Sequence, residues 1–423
     1  MLKPSEPKFE TMNKLRTIII SIAICPFFIL FGMGGIFAQT PISLETALQK
    51  AADKNLNLKS GQLRIDYYDK MQKSYATIDP LNITGEIGQM NSTYVDNAIG
   101  VNQTLRLPAF YRAQKQVLIE EWKNSVLNLD VQKWQLKREM SLLYNELNYL
   151  DEKQKLLKKT DSIYSNYYKR AELRLKAGES NILEKTTAEN YRSQAEIQLQ
   201  SLLKDRDITL YQFNYLINDS EIYTNQKDGF FNTELLGDES FSGNAIVLKQ
   251  LEQQRNIENA RLESEKKKLL PSFNVGIRSM TMKGMGADDK TYDGLHRFQQ
   301  GSVGVGLPIF NTAQKSVIEG QKVNQMIAEN NYQLGLRNMK NLYAKTYGEY
   351  QKLKSEIDYY KTTGLKNADK IFFTANLLLK EGEMNYLEYT LLVNQSLEIQ
   401  NKYIEAQKLL NEKIIELNNL RSE

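Results

Sequence analysis

The sequence predicts a mainly helical protein with a small β part, built from two copies of one long structural unit. Residues 107–115 return almost unchanged as residues 307–315, and residues 175–184 return as residues 379–388. Each copy contains a helical stretch, a pair of alternating segments, a very long heptad-patterned stretch, a glycine turn and a returning helical stretch. The chain of 423 residues is therefore predicted to be a tandem duplication.

The N-terminus has the pattern of an export signal. Residues 17–38 are almost uncharged, follow Lys14 and Arg16, and contain several glycines near their end. This pattern predicts a signal peptide at residues 1–39. The alternative is an N-terminal membrane anchor, because the apolar run approaches the length that spans a bilayer. The single cysteine, Cys25, lies inside this run, so the exported chain is expected to contain neither a disulfide nor a reactive thiol.

The repeat divides the exported chain into two halves. We predict a first repeat at 40–218, an equatorial linker at 219–245 and a second repeat at 246–423. Each repeat is expected to contain a helix, a β-hairpin, a long helix, a tip and a return helix. In the first and second repeat respectively, the hairpins are predicted at about 81–107 and 272–307, the long helices at about 111–176 and 313–380, and the tips at Gly178 and Gly382.

A coiled-coil seam predicts the long helices. Mostly apolar residues recur in steps of four and three from Trp122 to Leu175. The polar members of this seam are Lys133, Gln154 and Asp161. This period of about 3.5 residues predicts supercoiled helices packed on neighbours. The second copy keeps the period from Tyr332 to Tyr360 and then takes two steps of four around Gly364, which predicts a stutter. At about 1.5 Å per residue the first helix would be roughly 100 Å long, which exceeds any compact domain of this size.

Segments with a two-residue period predict the β part. After Pro80 and again after Pro271, apolar and polar residues alternate along two segments, which predicts one hairpin in each repeat. The strands approach the length of about nine to eleven residues that crosses a bilayer when tilted. The alternative is a pair of soluble hairpins that cap a helical bundle. Four strands cannot close a membrane barrel, so insertion would require two copies with eight strands or three copies with twelve.

These features together resemble the TolC-type outer-membrane efflux family, the outer membrane factors. The residues that carry the resemblance are the Leu-Pro-x-Phe junctions at 107–110 and 307–310, the glycine-turn motifs at 175–184 and 379–388, and the opening helix at 43–58. The resemblance covers nearly the whole exported chain. It implies a homotrimer whose twelve strands form a transmembrane β-barrel in the outer membrane and whose coiled-coil helices form a periplasmic α-barrel.

The resemblance also implies partners and a role. The protein would be a passive exit duct that meets a periplasmic adaptor, or membrane fusion, protein and an inner-membrane pump of the RND or another type, with its barrel in outer-membrane lipid. Residues 100–108 and the Asn91-Ser92 turn are most similar to the heavy-metal cation efflux branch of the family. The alternative function is that of a periplasmic structural or adaptor coiled-coil protein without a membrane barrel.

The resemblance assigns the glycine turns to periplasmic tips that dock the adaptor. The implied docking residues are Leu175, Gly178, Ser180, Leu183, Leu379, Gly382, Asn385 and Leu387. Members of the family often carry two carboxylates after the second tip glycine that narrow the periplasmic aperture. Glu388 matches the first position, Leu391 replaces the second, and Glu184 stands at the place of Glu388 in the first copy. The alternatives are plain helix C-caps for the turns and solvated carboxylates for the two glutamates.

No catalytic residue, cofactor or metal site is predicted, and the protein is expected not to be an enzyme. The sequence contains no nucleophile elbow, phosphate loop or metal-ligand spacing. The only histidine, His296, is expected in a turn or exposed, and the acidic pair at 288–289 is a weak cation signal. Lysines 266–268 suit the end of a helix, with lipid headgroups as the alternative contact. The 55 basic and 51 acidic residues nearly balance, which gives no support to nucleic-acid binding.

Overall fold

The computed structural model describes residues 39–90, 93–226, 229–230, 233–236, 241, 243 and 245–421. The predicted signal peptide up to residue 38, with Cys25, and the Asn91-Ser92 turn lie outside the described residues. In the described part, long helices dominate the fold, and short strands form one four-stranded sheet and two small pairs.

The helices follow the order expected from the repeat. They are α1 (Leu44–Lys54), α2 (Leu56–Met71), α3 (Pro108–Lys176), α4 (Ile182–Ile217), α5 (Ile246–Lys267), α6 (Thr312–Tyr359), α7 (Leu365–Glu381) and α8 (Tyr386–Arg421). A 3₁₀ turn at Gln72–Ala76 follows α2, and a π-helical turn at Tyr360–Gly364 joins α6 to α7. None of the helices in the described residues combines the length and apolar composition that crossing a membrane requires.

The strands also come in chain order. They are β1 (Thr40–Ile42), β2 (Asn82–Gly88), β3 (Asp96–Arg106), β4 (Tyr223–Asn225), β5 (Ser272–Thr281), β6 (Gly284–Met285), β7 (Thr291–Tyr292) and β8 (Arg297–Gly306). β2, β3, β5 and β8 form an antiparallel sheet in that spatial order, so β2 and β8 are its edges. The pairing of β3 with β5 joins the two repeats and places Val101 opposite Ile277.

The two long helical arms have almost the same length. α3 contains 69 residues, and the second arm runs from Thr312 through the π-helical turn to Glu381. α3 begins at Pro108, earlier than the expected start at residue 111. Proline fits the first turn of a helix, because the N–H groups there have no acceptor within the helix and the missing N–H of proline costs no hydrogen bond. In the second copy Pro308 stays outside the helix. The second arm recovers this lost turn further along, where the π-helical turn occupies the position of the expected stutter.

The long helices lie side by side in one row. α3 packs against α4 on one side and α8 on the other, and α8 packs in turn against α6 and α7. α4 and the α6–α7 arm are therefore the two flanks of the row. The packing follows the heptad seam: Leu150 and Leu157 of α3 pack with Leu202 of α4, while Ile357 of α6 packs with Ala406 of α8. Burial of these apolar side chains stabilises the row.

A short parallel pair that the sequence does not predict anchors the linker. β1 pairs with β4, which lies inside the expected linker at 219–245. Asn225 of β4 is fully buried and donates a hydrogen bond to Asp151 of α3 at 2.9 Å. The Arg206 side chain of α4 donates to the same carboxylate at 2.9 Å. Because a buried charge is stable only when paired and hydrogen-bonded, this network fixes the linker to the middle of the helical row.

Candidate functional site: the sheet surface and the helical tips

One face of the four-stranded sheet is apolar and exposed. The exposed side chains on this face are Ile83, Ile87, Ile99, Val101, Leu105, Phe273, Val275, Ile277, Val303 and Val305. The exposed fraction reaches 83% for Ile87 and 80% for Val303. A contiguous apolar surface of this kind marks a contact with lipid or with another protein.

The opposite face of the sheet is polar. Arg278 of β5 forms an ion pair with Glu86 of β2 across the intervening strand β3. The Thr104 hydroxyl donates to the Asn274 side chain at 2.6 Å. A Cβ at Gly276 would approach the Ser302 hydroxyl to 2.7 Å, so glycine makes room for the polar side chains of the neighbouring strands. The sheet thus separates an apolar surface from a polar one.

Charged residues of the motifs at 266–268 and 288–289 contact side chains that lie close to them along the chain. Asp288 accepts a hydrogen bond from the Tyr292 hydroxyl at 2.6 Å, and the His296 ring packs 4.8 Å from the Tyr292 ring. Lys266 and Lys268 each pair at 2.7 Å with the glutamate three residues earlier. Among the described residues, no three His, Cys, Asp or Glu side chains are grouped to hold a metal ion.

The two helical tips have the same backbone. Gly178 has a φ of 73° and Gly382 a φ of 77°, in the left-handed region that glycine adopts without a Cβ clash. The N–H group after each glycine donates to the carbonyl five residues earlier, at 2.9 Å in the first tip and 3.0 Å in the second. This bond satisfies a carbonyl that the helix end would otherwise leave unpaired.

Asparagine caps start both return helices and place the candidate aperture glutamates. The Asn181 side chain accepts from the N–H of Glu184 at 3.1 Å, and the Asn385 side chain accepts from the N–H of Glu388 at 2.9 Å. The Glu388 carboxylate in turn accepts from the N–H of Asn385 at 3.4 Å, which completes a capping box. In the first tip, the Ser180 hydroxyl donates to the Glu184 carboxylate. Both glutamates therefore help to start a helix.

The two glutamates differ in their surroundings. The Glu184 side chain is 14% exposed and lies 3.7 Å from the Arg174 guanidinium. Arg174 also lies 4.9 Å from the centre of the Tyr386 ring. At the place of Arg174 the second copy has Leu378, and Glu388 is exposed. One tip carboxylate is thus covered by a cation, whereas the other faces solvent.

An aromatic cluster joins the two tips into one end of the row. Tyr167 of α3 stacks on Tyr386 of α8 with 5.1 Å between ring centres. Tyr167 and Tyr389 are buried in the same cluster as Ala171 and Ala375. Burial raises the pKa of the Tyr167 and Tyr389 hydroxyls, so both remain neutral. Sequence reasoning missed Tyr167, Tyr386 and Arg174, although Arg174 directly precedes the repeated tip motif.

The expected docking residues fall into two groups. The exposed members are Gly178, Leu183, Gly382, Asn385 and Leu387, and the partly buried members are Leu175, Ser180 and Leu379. Leu183 and Leu387 occupy equivalent positions in the two tips and are 68% and 64% exposed. Leu379 packs instead against the aromatic cluster. Among the expected docking residues, the structure therefore exposes one leucine on each tip.

A groove lies in the middle part of the row, at the level of Glu146 to Tyr164 of α3. Its volume is about 810 Å³, and it lies on α3 between α4 and α8. Its walls include Tyr149, Lys153, Gln198, Asp205 and Glu398. The groove is therefore lined by aromatic, cationic and anionic side chains.

Solved structures match this arrangement closely. A membrane protein from Pseudomonas aeruginosa matches with a TM-score of 0.75 at 14% identity, over 90% of this chain and 93% of that chain. The CmeC outer membrane channel of Campylobacter jejuni matches with a TM-score of 0.73 at 14% identity, over 89% and 85%. The open state of the MtrE outer membrane channel of Neisseria gonorrhoeae matches with a TM-score of 0.72 at 16% identity, over 89% and 88%. The chain has the fold of an outer-membrane channel subunit.

The channel fold rests on structure rather than on sequence similarity. No protein-family model matches the sequence, and no curated protein matches it. The match to solved channels confirms the mainly helical fold class with a small strand part. At 14% and 16% identity it establishes the fold alone.

Proposed function

We propose that the protein is the outer-membrane exit duct of a tripartite efflux system. It is a passive channel without enzymatic activity that carries substrates from a periplasmic adaptor and an inner-membrane pump to the outside. The observation that carries this proposal is the four-stranded sheet, which has an exposed apolar face, a polar face and two edge strands. The fold shared with solved outer-membrane channels supports it.

The edges of the sheet favour an oligomer, and the resemblance to the TolC-type family implies that it is a homotrimer. In lipid, each unpaired backbone group at β2 or β8 costs free energy, so one subunit cannot span the membrane alone. Three copies would pool twelve strands into a closed barrel with an even strand number. The apolar face of each sheet would then contact outer-membrane lipid, and the polar face would line water.

The long arms place the tips far from the membrane. At about 1.5 Å per residue, α3 extends roughly 100 Å from the sheet into the periplasm. We assign adaptor docking to the tips, with Leu183 and Leu387 as the exposed apolar contacts. The aperture assignment rests on Glu388, whose carboxylate faces solvent near Gly382. An inner-membrane pump of the RND or another type would supply the energy.

A second part of the proposal concerns the class of substrate that the duct exports. Heavy-metal cations are the first class to test, because residues 100–108 are most similar to the metal branch of the family. A strain that lacks the protein should become sensitive to metal salts while its tolerance of detergents and antibiotics stays unchanged. Sensitivity to organic compounds alone would overturn the metal assignment and leave the duct assignment standing.

The test of the duct uses two neighbouring residues on opposite faces of β8. Val303→Lys puts a charge on the apolar face, where lysine costs about 2–4 kcal/mol at the middle of a bilayer. Ser302→Lys puts the same charge on the polar face of the same strand. We expect V303K to abolish heat-resistant trimers in outer-membrane fractions, and S302K to leave them intact.

Two outcomes of this test contradict the duct. If V303K assembles as well as S302K, the apolar face does not contact lipid. If the unsubstituted, exported protein is a soluble monomer, the periplasmic coiled-coil alternative is favoured instead. Conductance of the purified protein in a planar bilayer provides the positive control.

A further inference from the structure

The two flanks of the helical row carry exposed apolar side chains. On α4, Tyr211 and Tyr215 are 76% and 80% exposed, and Ile208 precedes them on the same helical face. On the other flank, Leu334 and Leu342 of α6 are 52% and 44% exposed. Aromatic and leucine side chains at helical spacing normally pack against another helix.

The internal repeat shows which helices inside the subunit correspond to the two flanks. Leu150 and Leu157 of α3 correspond to Tyr350 and Ile357 of α6, 200 residues later, and each set packs in an equivalent core cluster. Leu202 of α4 corresponds to Ala406 of α8 with an offset of 204 residues. The flank α4 is therefore the repeat partner of α8, and the flank α6 is the repeat partner of α3.

Inside the chain these repeat partners, α8 and α3, already pack together. The Asn411 side chain donates to the Asn145 side chain at 3.1 Å. The Lys408 ammonium lies 4.6 Å from the centre of the Tyr149 ring. The Trp134 indole donates to the Asn419 carbonyl at 2.7 Å. These three contacts define an antiparallel register between α3 and α8.

Adding 200 to each α3 residue number and subtracting 204 from each α8 residue number converts these contacts into the pairs expected between α6 and α4. The three contacts become Lys345 with Asp207, Glu349 with Lys204, and Leu334 with Tyr215. Two of the three pairs join opposite charges, and the third joins apolar side chains. Within one subunit Lys204 pairs with Asp207 at 3.8 Å along α4, and Lys345 pairs with Glu349 at 4.0 Å along α6. Glu349 also pairs with Lys413 of α8 at 3.0 Å, whereas the side chains of Lys345 and Asp207 are both more than half exposed.

The burial of the repeat partners supports the transfer. Asn419 is 6% exposed, whereas its repeat partner Tyr215 is 80% exposed. Ile415 is 4% exposed, whereas its repeat partner Tyr211 is 76% exposed. At these two positions the residue buried on α8 is replaced on α4 by an exposed tyrosine, which a second copy of the chain can cover.

We propose that α4 of one subunit packs antiparallel on α6 of the next copy, with Lys345 facing Asp207 and Glu349 facing Lys204. The proposal rests on the trimeric duct and adds the partner surface and its register. Sliding the two helices by one turn would place Lys345 near Lys204 or Glu349 near Asp207. Like charges at close range oppose these slipped registers, so the charge pattern selects one alignment.

Crosslinking tests the register directly. The exported chain is expected to contain no cysteine, because Cys25 lies in the predicted signal peptide. We expect the variant with both Lys345→Cys and Asp207→Cys to form crosslinked dimers and trimers with a short bis-maleimide. The matched control combines Lys345→Cys with Ile197→Cys, which is also exposed on α4 but lies roughly 15 Å further along it. The control should remain monomeric under denaturing conditions.

A charge exchange provides the second measurement. Lys345→Asp alone should lower the temperature at which trimers dissociate in detergent, and adding Asp207→Lys should restore it. A general structural defect at residue 345 would not be rescued by the second change. A result in which trimers form, but the two cysteines do not crosslink and Asp207→Lys does not rescue Lys345→Asp, would overturn this register and leave the duct proposal intact. If no trimer forms at all, the duct proposal and this register fail together.

Discussion

Gly178 ends the first long arm and Gly382 ends the second, with nearly the same left-handed backbone and the same pattern of closing hydrogen bonds. The charges around the two turns differ. Glu184 in the first tip is covered by Arg174, while Glu388 in the second tip faces solvent and Leu378 stands at the place of Arg174. The duplicated chain has therefore kept the geometry of the turn and changed its electrostatics, with arginine in the first copy and leucine in the second at the position that covers Glu184.

This difference separates two roles at the same end of the molecule. Arg174 contacts Glu184 and the Tyr386 ring, so it ties the first tip to the return helix of the second repeat. Glu388 makes its capping contact and keeps its carboxylate exposed. The first tip therefore helps to hold the end of the row together, and the second exposes the carboxylate that we propose to present to ions.

The largest expected effect comes from replacing the glycine that gives each tip its left-handed turn. Gly178→Val and Gly382→Val each force a β-branched residue into the left-handed region, which costs about 1–2 kcal/mol. Gly348 is the matched control, because it lies within α6 with open space around its Cα. Gly348→Ala should stabilise by about 0.5–1 kcal/mol. Urea unfolding of the purified protein in detergent measures both, and equal small effects would contradict the turn geometry.

A smaller effect is expected from exchanging Arg174 and Leu378, which occupy equivalent positions in the two tips. Arg174→Leu removes a partly exposed ion pair and a cation–π contact, so the first tip should lose about 1 kcal/mol. Leu378→Arg supplies a cation next to Glu388 and should gain about 0.3 kcal/mol in the second tip. Amide hydrogen exchange at each tip measures the local free energy of opening. Unchanged exchange in R174L would mean that Arg174 does not tie the tips together.

The smallest effect on stability is expected at the exposed carboxylate. Glu388→Gln should change the free energy of unfolding by less than about 0.5 kcal/mol. It should nevertheless reduce the preference for cations in planar-bilayer recordings, because three carboxylates at one aperture attract cations. Glu184→Gln serves as the comparison and should leave the permeability ratio almost unchanged. The aperture assignment fails if the two variants shift the reversal potential equally.

The heptad and two-residue periods were sufficient to predict the arms and the strands. Leu150 and Leu157 lie on the predicted seam and are buried, and Ile83 and Val101 lie on the predicted apolar face. Both patterns are local, since they depend only on which residues recur within a few turns or a few strand positions. The π-helical turn also has a local signal, because the seam around Gly364 steps by four twice.

Other features had no local signal. The strand β4 has three residues, too few for a period, and it forms because β1 approaches it from the start of the chain. The start of α3 at Pro108, three residues before the expected start, could not be read from the repeated Leu-Pro-x-Phe motif, which enters a helix in one copy and remains outside it in the other. The cation–π contact of Arg174 with Tyr386 joins residues more than two hundred positions apart.

The sequence by itself determined the duplication, the long arms, the two-faced strands and the positive-φ glycines of the tips, because each depends on neighbouring residues and on the steric properties of one residue type. The tertiary structure decided the order of the helical row, the edges of the sheet and which tip carboxylate is covered. These depend on contacts between distant segments, where packing and charge pairing are settled only when the two repeats meet.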